Sequence, residues 1–191
     1  MSEYKDRFIK ICRDKITREG IESMLDWLNT TDFYTAPAST RFHYSFREGL
    51  VRHSLNVYDV LSTQKYVDNI EESEESIAIV ALFHDLCKSG FYKESTRNLK
   101  NDVTGEWTKV PYYSVEDKFP FGHGEKSVFL IERYIRLRTA EAIAIRWHMG
   151  GFDESAKMGG YTTSNAFEKY PLAVKLHLAD LEATYLLERD N

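Results

Sequence analysis

Six side chains in this sequence could share one chemistry: His53, His84, Asp85, His123, His148 and Asp180. Imidazole and carboxylate together suit Mn, Fe, Co, Ni or Zn, with Mg a further option, and a mixed set with open positions leaves room for water and substrate. Their surroundings set them apart. The run IAIVALFHDL is so apolar that it must be buried, yet it ends in His84 and Asp85. An aspartate is almost never fully buried unless it is paired or binds a metal. Asp180 likewise interrupts the apolar row Leu172, Val174, Leu176, Leu178 and Leu181. Taken alone, the His84–Asp85 pair reads more simply as a helix cap or a hydrogen-bonded pair than as a metal site. The recurrence of the same residue types along the chain shifts the reading towards a site for one or two divalent ions.

The elements that must position these groups are mostly helical. Apolar residues recur at helical intervals through Phe8, Ile9, Cys12 and Ile16 and again through Ile21, Met24, Leu25 and Leu28, so two short helices are expected within residues 4–29. Residues 29–39 read as a loop, and helical spacing resumes at Leu50, which puts His53 on a helix. EESEES at 71–76 reads as a solvated loop or first helical turn ahead of the buried helix. Aromatic and β-branched residues around a DVTG turn predict a β-hairpin at about 93–116. Gly122 and Gly124 bracket His123 before a helix over Glu125–Leu137; a second helix, Ala140–Trp147, leads into His148. Residues 149–165 read as a long loop, and Pro171 suits the first turn of a last helix through Leu187 that carries Asp180. The expectation is a single mainly α domain over 1–191, a helical bundle with a small β-hairpin insertion. Ligands would be delivered into its core from several helices.

Composition narrows the function. With 191 residues, 42% of them hydrophobic and 29% charged, the chain can bury a full core. A formal net charge of -5 argues against neutralising the backbone of a long nucleic acid, which needs clustered Lys and Arg. A small anionic substrate remains compatible, because a metal can supply positive charge locally. Cys12 and Cys87 form no framework, and no apolar stretch spans a bilayer, so a cytoplasmic protein without a membrane partner is expected.

The segments RHSLNV, LFHDLCKSG and LHLADLEA, in that order, resemble the H…HD…D signature of the HD phosphohydrolase superfamily, with His53, His84, Asp85 and Asp180 at the matching places. FHYSFREGLVRHS resembles the stretch that opens the HD domain of bacterial 3'-5' exoribonucleases, and KYPLAVKLHLADLEAT the stretch that closes it. GHGEKS and RWHMGG stand where binuclear HD proteins supply further histidines. The resemblance covers residues 41–187. It implies an HD-domain bundle in which His53, His84, Asp85 and Asp180 hold one ion and His123 and His148 a second, with Asp85 bridging. Lys88 would face a substrate phosphate, making Asp85 and Lys88 the catalytic pair. The implied activity is metal-dependent hydrolysis of a nucleotide or other small phosphate ester. The alternatives are 3'-5' exonuclease action on short oligonucleotides and a non-catalytic nucleotide-binding regulatory module. Two features depart from the relatives: Trp147, His148 and Met149 stand where many have a double histidine, and residues 1–40 are too short and too helical for the exoribonucleases' OB domain.

Other residues have two readings each. Arg52, Lys126 and Arg146 neighbour proposed ligands and could clamp phosphate, or could form ordinary salt bridges. Asp117 and Asp153 are candidate proton donors to a leaving group. Cys87 is expected to pack rather than ligate, His43 to shape the pocket or sit in a polar loop, and His177 to be structural. Tyr92, Trp107, Tyr112, Tyr113, Phe152 and Tyr161 could stack on a base, or form a small core within the hairpin.

Overall fold

The computed structural model describes residues 2–67, 71–102 and 104–188. Val103, within the expected DVTG turn, lies outside them. The described chain is mainly α with a small β insertion. Helices α1 (Glu3–Lys15) and α2 (Ile21–Asn29) precede the long α3 (Gly49–Val67) and the central α4 (Glu74–Phe83). Strands β1 (Tyr92–Lys100) and β2 (Trp107–Val115) follow, then α5 (His123–Glu132), α6 (Thr139–Trp147), α7 (Glu154–Lys157), α8 (Thr162–Lys169) and α9 (Pro171–Glu182). No helix among the described residues is long and apolar enough to cross a membrane.

The apolar character of α4 is explained by its place: Ser76 through Phe83 are all buried. Helix α3 packs on α4 and α9, and α6 packs on α4, α5 and α9. The core is a continuous cluster that includes Phe8, Met24, Leu50, Leu55, Ile79, Phe83, Ile131, Ile145 and Leu176. Phe8 meets Phe33 and Phe83 at ring distances of 5.2 and 5.6 Å, seating α1 against the end of α4.

The hairpin is antiparallel, with Tyr92 opposite Val115 and Lys100 opposite Trp107. It does not build a core of its own: Trp107 is 67% exposed and Leu99 53%. Three boundaries differ from the sequence pattern. Helix α5 starts at His123 and ends at Glu132, and the chain turns before α6 rather than continuing to Leu137. Residues 149–165 contain a 3-10 turn at Gly150–Phe152, the single-turn α7 and the start of α8, so glycine content alone overstated the irregularity there. The last helix changes to a π-turn over Ala183–Leu187, closed by the Glu188 N–H donating to the Ala183 carbonyl at 3.1 Å.

Candidate metal centre

Two helix ends do the same thing with a histidine. His84 caps the C-terminus of α4, and its Nδ1 lies 2.9 Å from the carbonyl of Ala81, three residues back. His148 caps α6, with Nδ1 2.6 Å from the carbonyl of Ile145, again three residues back. A carbonyl can only accept, so each Nδ1 carries the proton and each Nε2 presents a lone pair. The two rings are 4.9 Å apart, and both side chains are buried. Asp85 follows His84 at φ -100°, ψ 21°, a sparsely allowed region in which many active-site residues sit.

His53 reaches the same point from α3. Its Nδ1 is 3.1 and 3.2 Å from the two carboxylate oxygens of Glu188, and its Nε2 is 3.2 Å from His84 Nε2 and 3.2 Å from Asp180 Oδ1. Asp85 Oδ2 lies 3.6 Å from His53 Nε2 and 3.5 Å from His84 Nε2. Donor atoms bound about 2.1 Å from one ion lie roughly 3.0–3.4 Å from each other, so this spacing suits a shared cation. With no cation, two imidazole lone pairs would face each other at 3.2 Å unless one nitrogen held an extra proton.

Asp85 Oδ1 faces the other way, 2.8 Å from His123 Nε2 and 3.5 Å from His148 Nε2. His148 Nε2 is buried and has no hydrogen-bond partner among the described residues, as expected for a nitrogen shaped for a ligand. Close backbone packing brings His123 and His148 together: a Cβ at Gly124 would lie 2.2 Å from the Arg146 carbonyl oxygen, so only glycine lets α5 approach α6 this closely. Their rings are 5.2 Å apart. The donor set therefore forms overlapping groups that could hold metal, His53/His84/Asp85, His84/His148/Asp180 and Asp85/His123/His148, and a fourth group joins His43 and Glu188 to His53. The six residues singled out from the sequence all meet here.

Electrostatics tells the same story. Burial opposes charge on His53, but Glu188 and Asp180 outweigh it and raise its pKa to about 10. Burial also opposes charge on His123, where Cys87 and Asp85 raise the pKa to about 10. His84 goes the other way, lowered to about 3 by burial and by neighbouring His148 and His53. Burial works against the Asp85 and Asp180 carboxylates, yet Lys88 and the histidines around Asp85, and His53 beside Asp180, hold both well below the usual range. Lys88 is raised because its ammonium lies 2.6 Å from Asp85 Oδ2, which outweighs burial. Without metal, protons on His53 and His123 supply the positive charge that the carboxylates require.

The surrounding residues sort less cleanly. Lys88 and His123 line two adjoining clefts, of about 540 and 730 Å³. The larger also presents Arg41, Phe42, His43, Asp85, Asp180 and Tyr185. Phe152 lines both clefts, whereas Trp107 and Tyr161 line neither. Arg52 is engaged elsewhere: its guanidinium lies over the rings of Tyr4, Tyr44 and Phe46 at 4.7, 4.6 and 5.1 Å. Neighbours on a helix project about 100° apart, so turning His53 inward turns Arg52 away. Arg146 is also taken up elsewhere, paired with Glu125 at 2.5 Å and Asp153 at 2.9 Å while stacked on Trp147. Lys126 lines the smaller cleft but is bound to Asp117 at 2.8 Å. Those pairings matter for Asp117 and Asp153. Burial pushes both pKa values up, but Lys126 and Arg146 respectively outweigh it and keep both lowered, which suits neither to proton donation.

His177 is structural: its Nδ1 is 2.6 Å from the His148 carbonyl, and its ring fills the space that a Cβ at Gly150, φ +51°, would need. Cys87 lies 3.4 Å from His123 Nδ1, so it touches a candidate ligand rather than only packing. Sequence reasoning missed Glu188 altogether. Comparison of the chain with protein-family models, with curated proteins and with solved structures finds no match.

Proposed function

We propose that this protein is a metal-dependent phosphohydrolase of the HD superfamily, acting on a nucleotide or another small phosphate ester. The reading rests on Asp85, a buried carboxylate with one oxygen towards His53 and His84 and the other towards His123 and His148. His53, His84, Asp85 and Asp180 would hold one divalent ion, and Asp85, His123 and His148 a second. Such ions, when bound, lower the pKa of water towards neutrality and offset charge on a phosphoryl group.

The chain's own groups have distinct tasks. Glu188 accepts the Nδ1 proton of His53 and so leaves Nε2 free to ligate, as the Ala81 and Ile145 carbonyls do for His84 and His148. Lys88, on the cleft side of Asp85, donates to a phosphoryl oxygen and stabilises the charge that grows there in the transition state. Phe42, Phe152 and Tyr185 give the larger cleft aromatic walls for a planar base, and its volume is that of a small-molecule site.

The test is a panel of Mn, Co, Ni and Mg against mono-, di- and triphosphate nucleotides, cyclic dinucleotides and short RNA. We expect the metal-stripped chain to be inactive and a transition ion to restore turnover of at least one small nucleotide. Elemental analysis should find about two ions per chain, falling towards one in His123→Ala and His148→Ala. Binding without turnover across the whole panel would overturn the enzyme reading in favour of a nucleotide-binding module.

A further inference from the structure

Every ring in the centre except one has a nitrogen committed to the protein. His53 uses Nδ1 on Glu188, His84 on Ala81, His148 on Ile145, and His123 lies between Asp85 and Cys87. His43 is the exception. Both its ring nitrogens are buried, and neither has a hydrogen-bond partner among the described residues. Its ring stands 5.0 Å from that of His53 and lines the larger cleft with Asp85 and Lys88.

The loop is built to hold this ring in place. Ser39 Oγ donates to the His43 carbonyl at 2.7 Å and accepts the N–H groups of Phe42 and His43 at 2.9 and 3.1 Å. The next residue, Tyr44, has φ +42°, and Glu48 has φ +69°, both in the left-handed region that side chains other than glycine seldom adopt. Such conformations persist only where the surroundings impose them, and they gather at functional sites. A ring anchored through its backbone, with no protein partner on either nitrogen, differs from the ligand histidines, each of which is oriented by a hydrogen bond. It keeps a donor and an acceptor for a molecule entering the cleft.

Resting on the phosphohydrolase reading, we propose that His43 is a substrate-contacting residue, whose ring N–H donates to an oxygen of the bound phosphate group in the cleft that Lys88 also lines. It is not a metal ligand in this assignment. It binds the ester that the centre cleaves and the phosphate that the reaction leaves.

The experiment compares the metal-loaded wild-type chain with His43→Ala and His43→Gln. Three quantities are measured: metal content, binding of inorganic phosphate by calorimetry, and kcat/KM on whichever ester the wild type turns over. A hydrogen bond to a charged group predicts that His43→Ala keeps its metal but loses phosphate affinity and kcat/KM by at least about tenfold. His43→Gln, whose amide still donates, should recover most of both. Unchanged phosphate affinity in His43→Ala overturns the proposal, as does loss of metal in both variants or a wild type that binds no phosphate at millimolar concentration. If no ester is turned over, the enzyme reading fails by itself, and the phosphate arm still decides the role of His43.

Discussion

Helices α4 and α6 lie side by side, and the polar clusters at their two ends obey opposite rules. At the N-terminal ends Glu141 is fully buried, but each of its oxygens is met. Arg18 donates to Oε2 at 2.6 Å and to Oε1 at 3.0 Å, Ser76 Oγ to Oε1 at 2.7 Å, and the Arg138 N–H to Oε2 at 2.7 Å. Arg18 also reaches Glu75, which accepts from the backbone and hydroxyl of Thr17. At the C-terminal ends the lone pairs of His84 and His148 converge with the carboxylates of Asp85 and Asp180, and His148 Nε2 is left unmet. The helix dipoles reinforce this division, since their N-termini favour the anions Glu75 and Glu141 and their C-termini favour a cation. A closed network is a structural device. Converging imidazoles and carboxylates that leave a buried nitrogen unmet, with Lys88 and His123 on Asp85 alone, have the composition of a ligand site.

The comparison breaks most visibly at Asp85. Replacing it by Ala removes the carboxylate whose two oxygens face the two histidine pairs, His53 with His84 and His123 with His148, and leaves Asp180 alone among them. Metal-dependent hydrolysis should be abolished while the chain still folds, as read by activity after stripping and reloading with metal, alongside circular dichroism. Full activity in the reloaded variant would sink the mechanism.

The same kind of change at the other cluster should give the reverse result. Glu141→Gln leaves partly buried Arg18 with Glu75 as its remaining carboxylate and sets a neutral amide in a fully buried place, and breaking a pair whose carboxylate is buried costs about 3 kcal/mol. For a chain of this length that is roughly a 10 °C fall in Tm, using about 3 °C per kcal/mol. The folded variant should keep its metal content and turnover below its melting range. A variant that loses activity without losing stability would show that the two clusters are coupled.

How much of this could be read in the sequence follows from the same contrast. His84 and Asp85 stood out because a polar pair closes an apolar helix, and Asp180 because it interrupts an apolar row; burial made both visible. Glu188 gave no such signal. It follows Tyr185, Leu186 and Leu187, all more than half exposed, and reaches His53 only because the helix changes to a π-turn after Glu182. His43 was visible as a residue but not as an unpartnered one, since partners are tertiary facts. Arg52 and Arg146 each had two readings in the sequence, and adjacency to a ligand could not choose between them: Arg146 forms the salt bridges, and Arg52 lies over aromatic rings. The hairpin was found from its turn and β-branched residues, but nothing in them revealed that Trp107 would stay exposed. The centre itself was legible, and the residues that orient it were less so.

Glu188→Gln tests one of those orienting residues. An amide can still accept from His53 Nδ1, but it removes the negative charge that raises the basicity of the ring. Outer-shell changes of this kind cost roughly 10–100-fold in metal affinity or activity. The predicted result is weaker metal binding with an unchanged fold. It would show up as a higher free-metal concentration at half-maximal activity and partial rescue at high metal. The metal-free chain offers a pH check on the same contact. With its folded pKa raised to about 10, His53 contributes stability that is fully present below the unfolded value near 6.5 and is lost as pH rises through about 10. In Glu188→Gln that loss should be smaller, measurable as a flatter dependence of Tm on pH between those limits.

The smallest expected effect concerns which substrate the open cluster admits, and it depends on the molecule's surface as well as its centre. Stepwise degradation of a strand needs a basic track or a series of stacking platforms along the chain of phosphates. The hairpin is long and exposed enough to offer one, but its Lys93, Arg97, Lys100 and Lys109 are interspersed with Glu94, Glu106 and Glu116, and Lys93 lies 3.8 Å from Glu116. The aromatic side chains Phe42, Phe152 and Tyr185 line a cleft of about 730 Å³, which suits one base. Arg146 and Lys126 extend no phosphate path, because each is bound to carboxylates. A mononucleotide or small phosphate ester should therefore be turned over at least about tenfold faster in kcat/KM than a single-stranded oligonucleotide, a difference of roughly 1.4 kcal/mol in barrier. Both values should be measured at one metal and one salt concentration. A preference for the oligonucleotide, with stepwise release of nucleotides from its 3' end, would overturn the compact-pocket reading and favour an exonuclease that guides its strand by some surface other than this hairpin.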